Sequence, residues 1–352
     1  MDDALRAKLD MLLTEQLAAT GLPGIAGLVR IGDEIWTKTA GVADLKSKTP
    51  YSAESFVRIA SITKTFTATA VLQLVDEGKL GLDDKLEKYV PGLVNGKVAT
   101  IEDLLAMRSG IPDFTADKAF GQRFDQNPDM AWNDRDTLAV IAGAKADFAP
   151  GEKVAYCDSN YALLGMVMRK VTGQAPGVTI TQKILEPLNF RATSYPTAST
   201  VPDPHPTACI PTSIDASGRF DNATTLPRPV SKVNPAVAGT AGAMISTLGD
   251  LQVWGKELVT GSLLKPETQA LRLQCRQFTG QKLNFGYGLG IINLNEFLGH
   301  DGAIFGYSSV VFTRPQTDSQ IVFVANESTN STTPTLTIAL SVIKELYPDQ
   351  LS

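Results

Sequence analysis

The 352-residue chain is poor in the residues that metal or thiol chemistry would use. It has two histidines, His205 and His300, and three cysteines, Cys157, Cys209 and Cys275, with no C-x-x-C spacing. Neither a zinc site nor a multi-disulfide framework is suggested, and the odd cysteine count fits free thiols. Charge of one sign is equally scarce. The net charge is −5 and no run of five like charges occurs, so the footprint that nucleic acid or an anionic membrane demands is missing. No apolar stretch reaches the ~18 residues of a bilayer span. The first twenty residues, MDDALRAKLDMLLTEQLAAT, read as an amphipathic helix opening on acidic residues, not as a signal peptide with a basic n-region and apolar core. The expected compartment is therefore the cytoplasm if Met1 is the native start, or the periplasm or exterior if a leader has been removed. The expected partner is a small-molecule or peptide substrate, with no metal or organic cofactor and with the oligomeric state open.

What is present is a globular pattern long enough for one large domain or two intimately joined ones. After the first helix, Ile25 to Ile31 and Glu34 to Ala40 are β-rich runs joined by Gly32-Asp33, which predicts a hairpin. From about Ile59 to Val75 the pattern is helical and apolar or small on most sides, ending at Gly78, which predicts a helix buried between other elements. Residues from about 80 to 190 read as helices and loops, with a capping box at Thr100 to Asp103 and a helix over Ser159 to Thr172 closed by Gly173. Residues 191 to 238, rich in Pro, Thr and Ser (Pro196, Pro202, Pro204, Pro206, Pro211), suit a long ordered surface loop. Ser246 is expected to cap a short helix through Trp254. Three β-type runs follow, Gly286 to Leu294, Ala303 to Thr313 and Ser319 to Ala325, and a last helix covers Pro334 to Leu346.

Strands at both ends with helices between predict an α+β fold, with one antiparallel sheet built from the two termini, flanked by helices, and a mostly helical domain inserted. The expected division is residues 1–79 and 239–352 for the sheet domain and 80–238 for the helical one. The cleft between them is the expected binding site.

Ser61-Ile62-Thr63-Lys64 is an S-x-x-K tetrad, and residues i and i+3 on a helix share a face, so Lys64 can reach the Ser61 hydroxyl. A serine needs such a neighbour to become a nucleophile. Burial and the positive end of the helix are two features that would make a lysine a usable base, and the same helix end offers the Ser61 N–H as an oxyanion donor. The tetrad alone is a weak signal, since Ser262 to Lys265 and Ser341 to Lys344 repeat it. Context separates them: only Ser61 opens an apolar helix of buried type, where a polar pair needs a purpose.

RIASITKTFTATAVLQLVDEGKLGLDDKLEKYVPG resembles the active-site helix and following loop of the serine β-lactamase and penicillin-binding-protein superfamily, in its class C-like branch. Further segments agree in order: TIEDLLAMRSGIPDF, GEKVAYCDSNYALLGMVMRKVTG with the family's Y-x-N position, AGTAGAMISTLGDLQVW, and GHDGAIFGYSSVVF on the strand that carries K-T-G or H-x-G. The resemblance spans about residues 24 to 345. It implies a β-lactamase/transpeptidase-like fold and an acyl-enzyme mechanism. It further implies that Tyr156 points its phenol at Ser61 and Lys64 and relays protons, and that His300-Asp301-Gly302 forms the third motif. There Gly302 would let a substrate lie against the strand and the Ala303 N–H would complete the oxyanion hole. Whether Lys64 or Tyr156 takes the first proton stays open.

Several plain readings stand beside these. His300 could be structural, His205 between two prolines reads as loop, and Cys157 has no adjoining cation that would make it a nucleophile. Two departures from the family pattern bear on the substrate. The Asn of Y-x-N is Asp158, a carboxylate that could hold Lys64 charged or bind a substrate ammonium. The usual K-T-G lysine is His300, which favours the H-x-G peptidases, amidases and esterases over penicillin degradation. The run Gly286 to Leu294 has no Arg or Lys to pair a free C-terminal carboxylate. The expected function is hydrolysis of small amides or D-amino-acid peptides, as in D-alanyl-D-alanine carboxypeptidases, D-aminopeptidases and D-amino acid amidases. A carboxylesterase or β-lactamase on the same machinery and a non-catalytic cell-wall-peptide binder are the alternatives.

Overall fold

The computed structural model describes residues 1–210, 228–230, 232–278, 285–328 and 333–350. Eleven α-helices are found among them: α1 (Asp3–Thr20), α2 (Thr63–Asp76), α3 (Ile101–Leu105), α4 (Lys118–Gln126), α5 (Asp134–Ala142), α6 (Asp158–Thr172), α7 (Pro176–Ile180), α8 (Pro235–Gly242), α9 (Leu248–Thr260), α10 (Pro266–Arg272) and α11 (Pro334–Leu346). The main sheet has eight antiparallel strands: β1 (Gly24–Ile31), β2 (Glu34–Gly41), β3 (Arg276–Gln277), β4 (Phe285–Tyr287), β5 (Ile292–Leu294), β6 (Phe297–Ile304), β7 (Tyr307–Arg314) and β8 (Ser319–Ala325). Their order is β2-β1-β8-β7-β6-β5-β4-β3, so strands from the two ends of the chain meet at the β1–β8 pair, with Ile25 opposite Ala325 and Ile31 opposite Ser319. This is the α+β, antiparallel, helix-flanked sheet expected from the sequence.

Every residue of β8, and all but the last residue of β1, is buried. Both faces of the sheet are therefore covered. Adjacent residues on β8 show how: Gln320 Nε2 donates to the Gln252 carbonyl of α9 at 2.7 Å, while Ser319 on the opposite face shares a hydrogen bond with Tyr347 just past α11. α1 packs with α11 on that second face. α6, α7 and α8 gather around α2, whose residues from Thr63 to Leu72 are all buried, as its nearly continuous apolar and small sequence requires. Trp254 of α9 stacks on Phe66 at 3.9 Å and donates its indole N–H to Thr65 Oγ1 at 2.7 Å, locking α2 to the helix that lies on the sheet.

Several boundaries differ from the sequence reading. α9 is capped by Thr247, whose hydroxyl accepts the Asp250 N–H, and runs on to Thr260, because Ser246 is taken up in a short pairing of Ile245–Ser246 with Val57–Arg58. The run Gly286 to Leu294 is two strands broken at Gly290, a glycine with φ +76°; Ala303 to Thr313 is likewise broken at Gly306, with φ +82°. The Thr100 capping box and the αL cap at Gly173 are formed. Of the Pro/Thr/Ser-rich stretch, residues 211–227 and 231, including Pro211, lie outside the described residues. No helix among the described residues is long and apolar enough to cross a membrane.

Candidate active site

Ser61 sits in a 3-10 turn, Ala60–Ile62, that leads directly into α2. The turn is forced into an unusual backbone. Ala60 has φ +47°, a left-handed conformation that costs a non-glycine residue of order 1–3 kcal/mol and persists only where surroundings impose it. The surroundings are identifiable: Ser309 of β7 donates to the Ile59 carbonyl at 2.9 Å, and the Ile59 N–H donates to Met244 O at 2.9 Å. Gly302 of β6 lies so close that a Cβ there would stand 2.5 Å from Ile59 O and 3.0 Å from Ala60 Cβ. Gly302 is thus required by the approach of β6 to the serine turn, whatever a substrate asks of it.

One turn deeper, Lys64 has no exposed side-chain surface. Its Nζ has three acceptors for the three protons of an ammonium: Ser61 Oγ at 2.8 Å, the Ala241 carbonyl at 2.8 Å and Asp158 Oδ1 at 2.5 Å. The Ser61 hydroxyl, accepting from Lys64, keeps its own proton to share with the Tyr156 hydroxyl, to which it is hydrogen-bonded. Nζ also lies 4.9 Å from the centre of the Tyr156 ring. Desolvation of the Tyr156 hydroxyl, with the Asp158 charge adding to it, pushes that phenol well above its ordinary pKa although 40% of the residue is exposed. Serine, lysine, tyrosine and Asp158 are thereby brought together from α2 and the start of α6.

Asp158 is in turn backed by Asp113, a residue the sequence reading did not single out. Asp113 accepts the Asp158 N–H at 3.1 Å and the Thr115 N–H at 3.0 Å. Burial, reinforced by the Asp158 charge, raises its pKa to about 6. The Ala241 carbonyl was missed as well, since backbone acceptors leave no mark in a sequence. Asp113 stood within the quoted TIEDLLAMRSGIPDF segment, and its proximity to Asp158 is the product of α6 packing against α3 and the loop that follows it.

His300 is placed differently from these four. It is 1% exposed, its Nδ1–H donates to the backbone carbonyl of Asp301 at 2.5 Å, and Tyr287 of β4 donates its hydroxyl to Nε2 at 3.1 Å. Burial, with Lys64 nearby, lowers its pKa to about 3, so the imidazole is neutral and both nitrogens are engaged away from Ser61. Its ring stands 6.1 Å from that of Tyr156. Asp301 is raised by burial and tempered by a hydrogen bond to Thr333. Ala303 lines the cleft beside Ser61, on a stretch of β6 whose β5-side edge is unpaired beyond Gly299. The cleft has a volume of about 230 Å³ and an aromatic wall of Phe114, Phe120 and Phe124, facing Asp158 and Ile304. Cys157, beside Tyr156, is a packed thiol: it donates to Ile111 O at 3.3 Å and burial raises its pKa.

A model of the Beta-lactamase family matches residues 9–341. The chain belongs to the Beta-lactamase family. Members of this family are serine hydrolases. The crystal structure of a D-stereospecific amidohydrolase from Streptomyces sp. superposes with a TM-score of 0.84 at 32% identity, covering 97% of this chain and 98% of that one. D-amino acid amidase from Ochrobactrum anthropi SV3, in its complex with L-phenylalanine, shares the fold with a TM-score of 0.81 at 21% identity, covering 98% and 99%. Among curated proteins, Protein flp of Staphylococcus aureus (strain N315) is 29% identical over 331 residues, 91% of this chain. The chain spans 62% of the length of that relative.

Proposed function

We propose that this Beta-lactamase family chain is an acyl-enzyme hydrolase of small amides or D-amino-acid peptides, with Ser61 as nucleophile. The observation that carries the reading is the fully buried Lys64 with its Nζ at 2.8 Å from Ser61 Oγ, and the Tyr156 hydroxyl hydrogen-bonded to the same serine. In the resting state Nζ is an ammonium held by three acceptors. On substrate binding it passes one proton to Asp158, the acceptor at 2.5 Å, because a drier cleft favours the neutral pair over the charged one. Ser61 Oγ then attacks the carbonyl carbon while its proton moves to the Lys64–Tyr156 pair, and the Ser61 and Ala303 N–H groups receive the oxyanion. The proton returns through Tyr156 to the departing amine, and water releases the acyl group by the reverse path. His300, neutral and doubly hydrogen-bonded, serves as a rigid wall that positions Asp301 and Gly302.

Amides of D-configured amino acids are favoured by the likeness to the Streptomyces enzyme at 32% identity. They are favoured also by a cleft that offers the carboxylate of Asp158 and an aromatic wall but no lysine or arginine among its described lining residues. Incubation with D-alanyl p-nitroanilide, p-nitrophenyl acetate and nitrocefin tests the substrate: turnover of the anilide is expected, and turnover of only the acetate or only nitrocefin would replace this reading by an esterase or a β-lactamase. A second reading, a non-catalytic binder of cell-wall peptide, is motivated by the Lys64–Asp158 ion pair, which would disable Lys64 as a base if it never opens. Mass spectrometry after fluorophosphonate treatment separates the two, an adduct on Ser61 being expected of the enzyme and none of the binder.

A further inference from the structure

Arg58 ends the short strand that runs through Ile59 and Ala60 into Ser61, and it is buried to 2% exposure. Its Nη2 donates to the carbonyls of Ser199 at 2.8 Å and Val233 at 3.0 Å, while the buried Nη1 has no hydrogen-bond partner among the described residues. Among the described residues no carboxylate oxygen stands within ion-pair distance of this guanidinium. Asp129, whose charge it feels, accepts instead from Ser199 Oγ. A buried cation lacking both a counter-ion and one of its hydrogen bonds is an incomplete arrangement, since desolvation of charge is tolerated only when paired. Arg58 borders a cavity of about 270 Å³. Lys232 and His205 border it too, together with the hydroxyl-bearing Thr200 and Thr207, and none of its described lining residues is acidic. Three carboxylates stand at the margin, each engaged by a lining side chain: Asp203, 90% exposed, by His205 Nδ1 at 2.9 Å, Asp44 by the Thr207 hydroxyl at 2.7 Å, and Asp129 by the Ser199 hydroxyl.

We infer that this cavity is a binding site for a small organic oxyanion, a carboxylate or phosphate group carried on an apolar body, with Arg58 supplying the buried charge and Lys232 and His205 closing on the ligand from the rim. The chemistry is that of a guanidinium fixed through Nη2, with Nη1 left to donate to an oxyanion and a second, mobile cation opposite. The volume equals that of about nine waters at ~30 Å³ each, more than a bare oxyanion fills, and the apolar walls from Val201, Ala208 and Val230 suit the rest of the molecule. The site is separate from the Ser61 cleft: no residue lines both.

Thermal melting and calorimetric titration of the whole chain with sodium phosphate and with succinate, against chloride at matched ionic strength, test the inference. A saturable rise in melting temperature is expected. The doubly substituted Lys232→Ala/His205→Ala chain, folded by circular dichroism and with unchanged hydrolysis in the absence of the anion, should bind at least ten-fold more weakly. Tighter binding of succinate assigns the natural ligand to carboxylates, tighter binding of phosphate to phosphate esters. Chain phosphonylated at Ser61 by a fluorophosphonate should bind as wild type does, which separates this site from the cleft. The inference is overturned if neither anion acts beyond chloride, if the double variant binds as tightly as wild type, or if phosphonylation of Ser61 abolishes binding.

Discussion

Ser61–Lys64 and Ser341–Lys344 carry the same tetrad on helices, yet the two regions put it to different use. On α2 the lysine is sealed from solvent, and its nearest acceptors are the serine oxygen, a carbonyl from α8 and a carboxylate from α6. On α11, Ser341 donates back to the Thr337 carbonyl at 3.1 Å within its own helix, and Lys344 is exposed. The third copy, Ser262–Lys265, is pulled apart, with Ser262 donating to Glu257 and Lys265 to the Asp76 carbonyl. Spacing on a helix gives two groups a common face. Only burial, which denies the amine any acceptor but those built for it, distinguishes the pair proposed to be reactive from its two copies.

The largest effect that can sharpen this contrast is on turnover. Ser61→Ala is expected to lower kcat/KM on D-alanyl p-nitroanilide by about 10⁴-fold or more, with Ser341→Ala and Ser262→Ala within two-fold of wild type. A comparable loss at Ser341 would break the comparison. Next, Lys64→Ala should cost about 10³-fold and Lys344→Ala nothing measurable in the same assay.

Stability separates the regions more gently. Asp158→Ala strands the buried ammonium and should cost about 2 kcal/mol in urea unfolding, less than a fully buried pair would because Asp158 is a quarter exposed. Removing Lys8, which pairs with Glu345 of α11 at 2.6 Å in the open, should cost under ~0.5 kcal/mol. The remaining effect is a slope. An imidazole that binds its proton near 6.5 when unfolded but near 3 when folded leaves the unfolded state with more protons between those values. His300 therefore makes stability fall as pH drops from about 6.5 towards 3, by at most ~1.4 kcal/mol per pH unit. His300→Gln should lose that slope in urea titrations at successive pH values. Asp113, raised to about 6, acts in the opposite sense between 3.8 and 6, so the slope is read as the difference between variant and wild type.

Much of the frame was legible because it depends on neighbours in sequence. The Gly32-Asp33 hairpin, the Thr100 box, the Gly173 cap and α11 from Pro334 to Leu346 each rest on residues within one or two turns of each other. Gly290 and Gly306 split two apolar runs because φ-positive turns interrupt pairing without interrupting hydrophobicity, and Ser246 lost its cap to a partner strand 189 positions earlier, at Val57. The surroundings of the catalytic candidates divide in the same way. The Ser61–Lys64 spacing was visible, whereas the Ala241 carbonyl, the Asp113 carboxylate and the Tyr287 hydroxyl on His300 come from elements that only tertiary packing brings near.

The β1–β8 pairing joins the first strand of the chain to the last, and Gly302 reaches the serine turn only from β6. The left-handed bend at Ala60 therefore depends on a strand far along the chain having docked against the serine turn, so the helix that carries the tetrad cannot shape its own nucleophile.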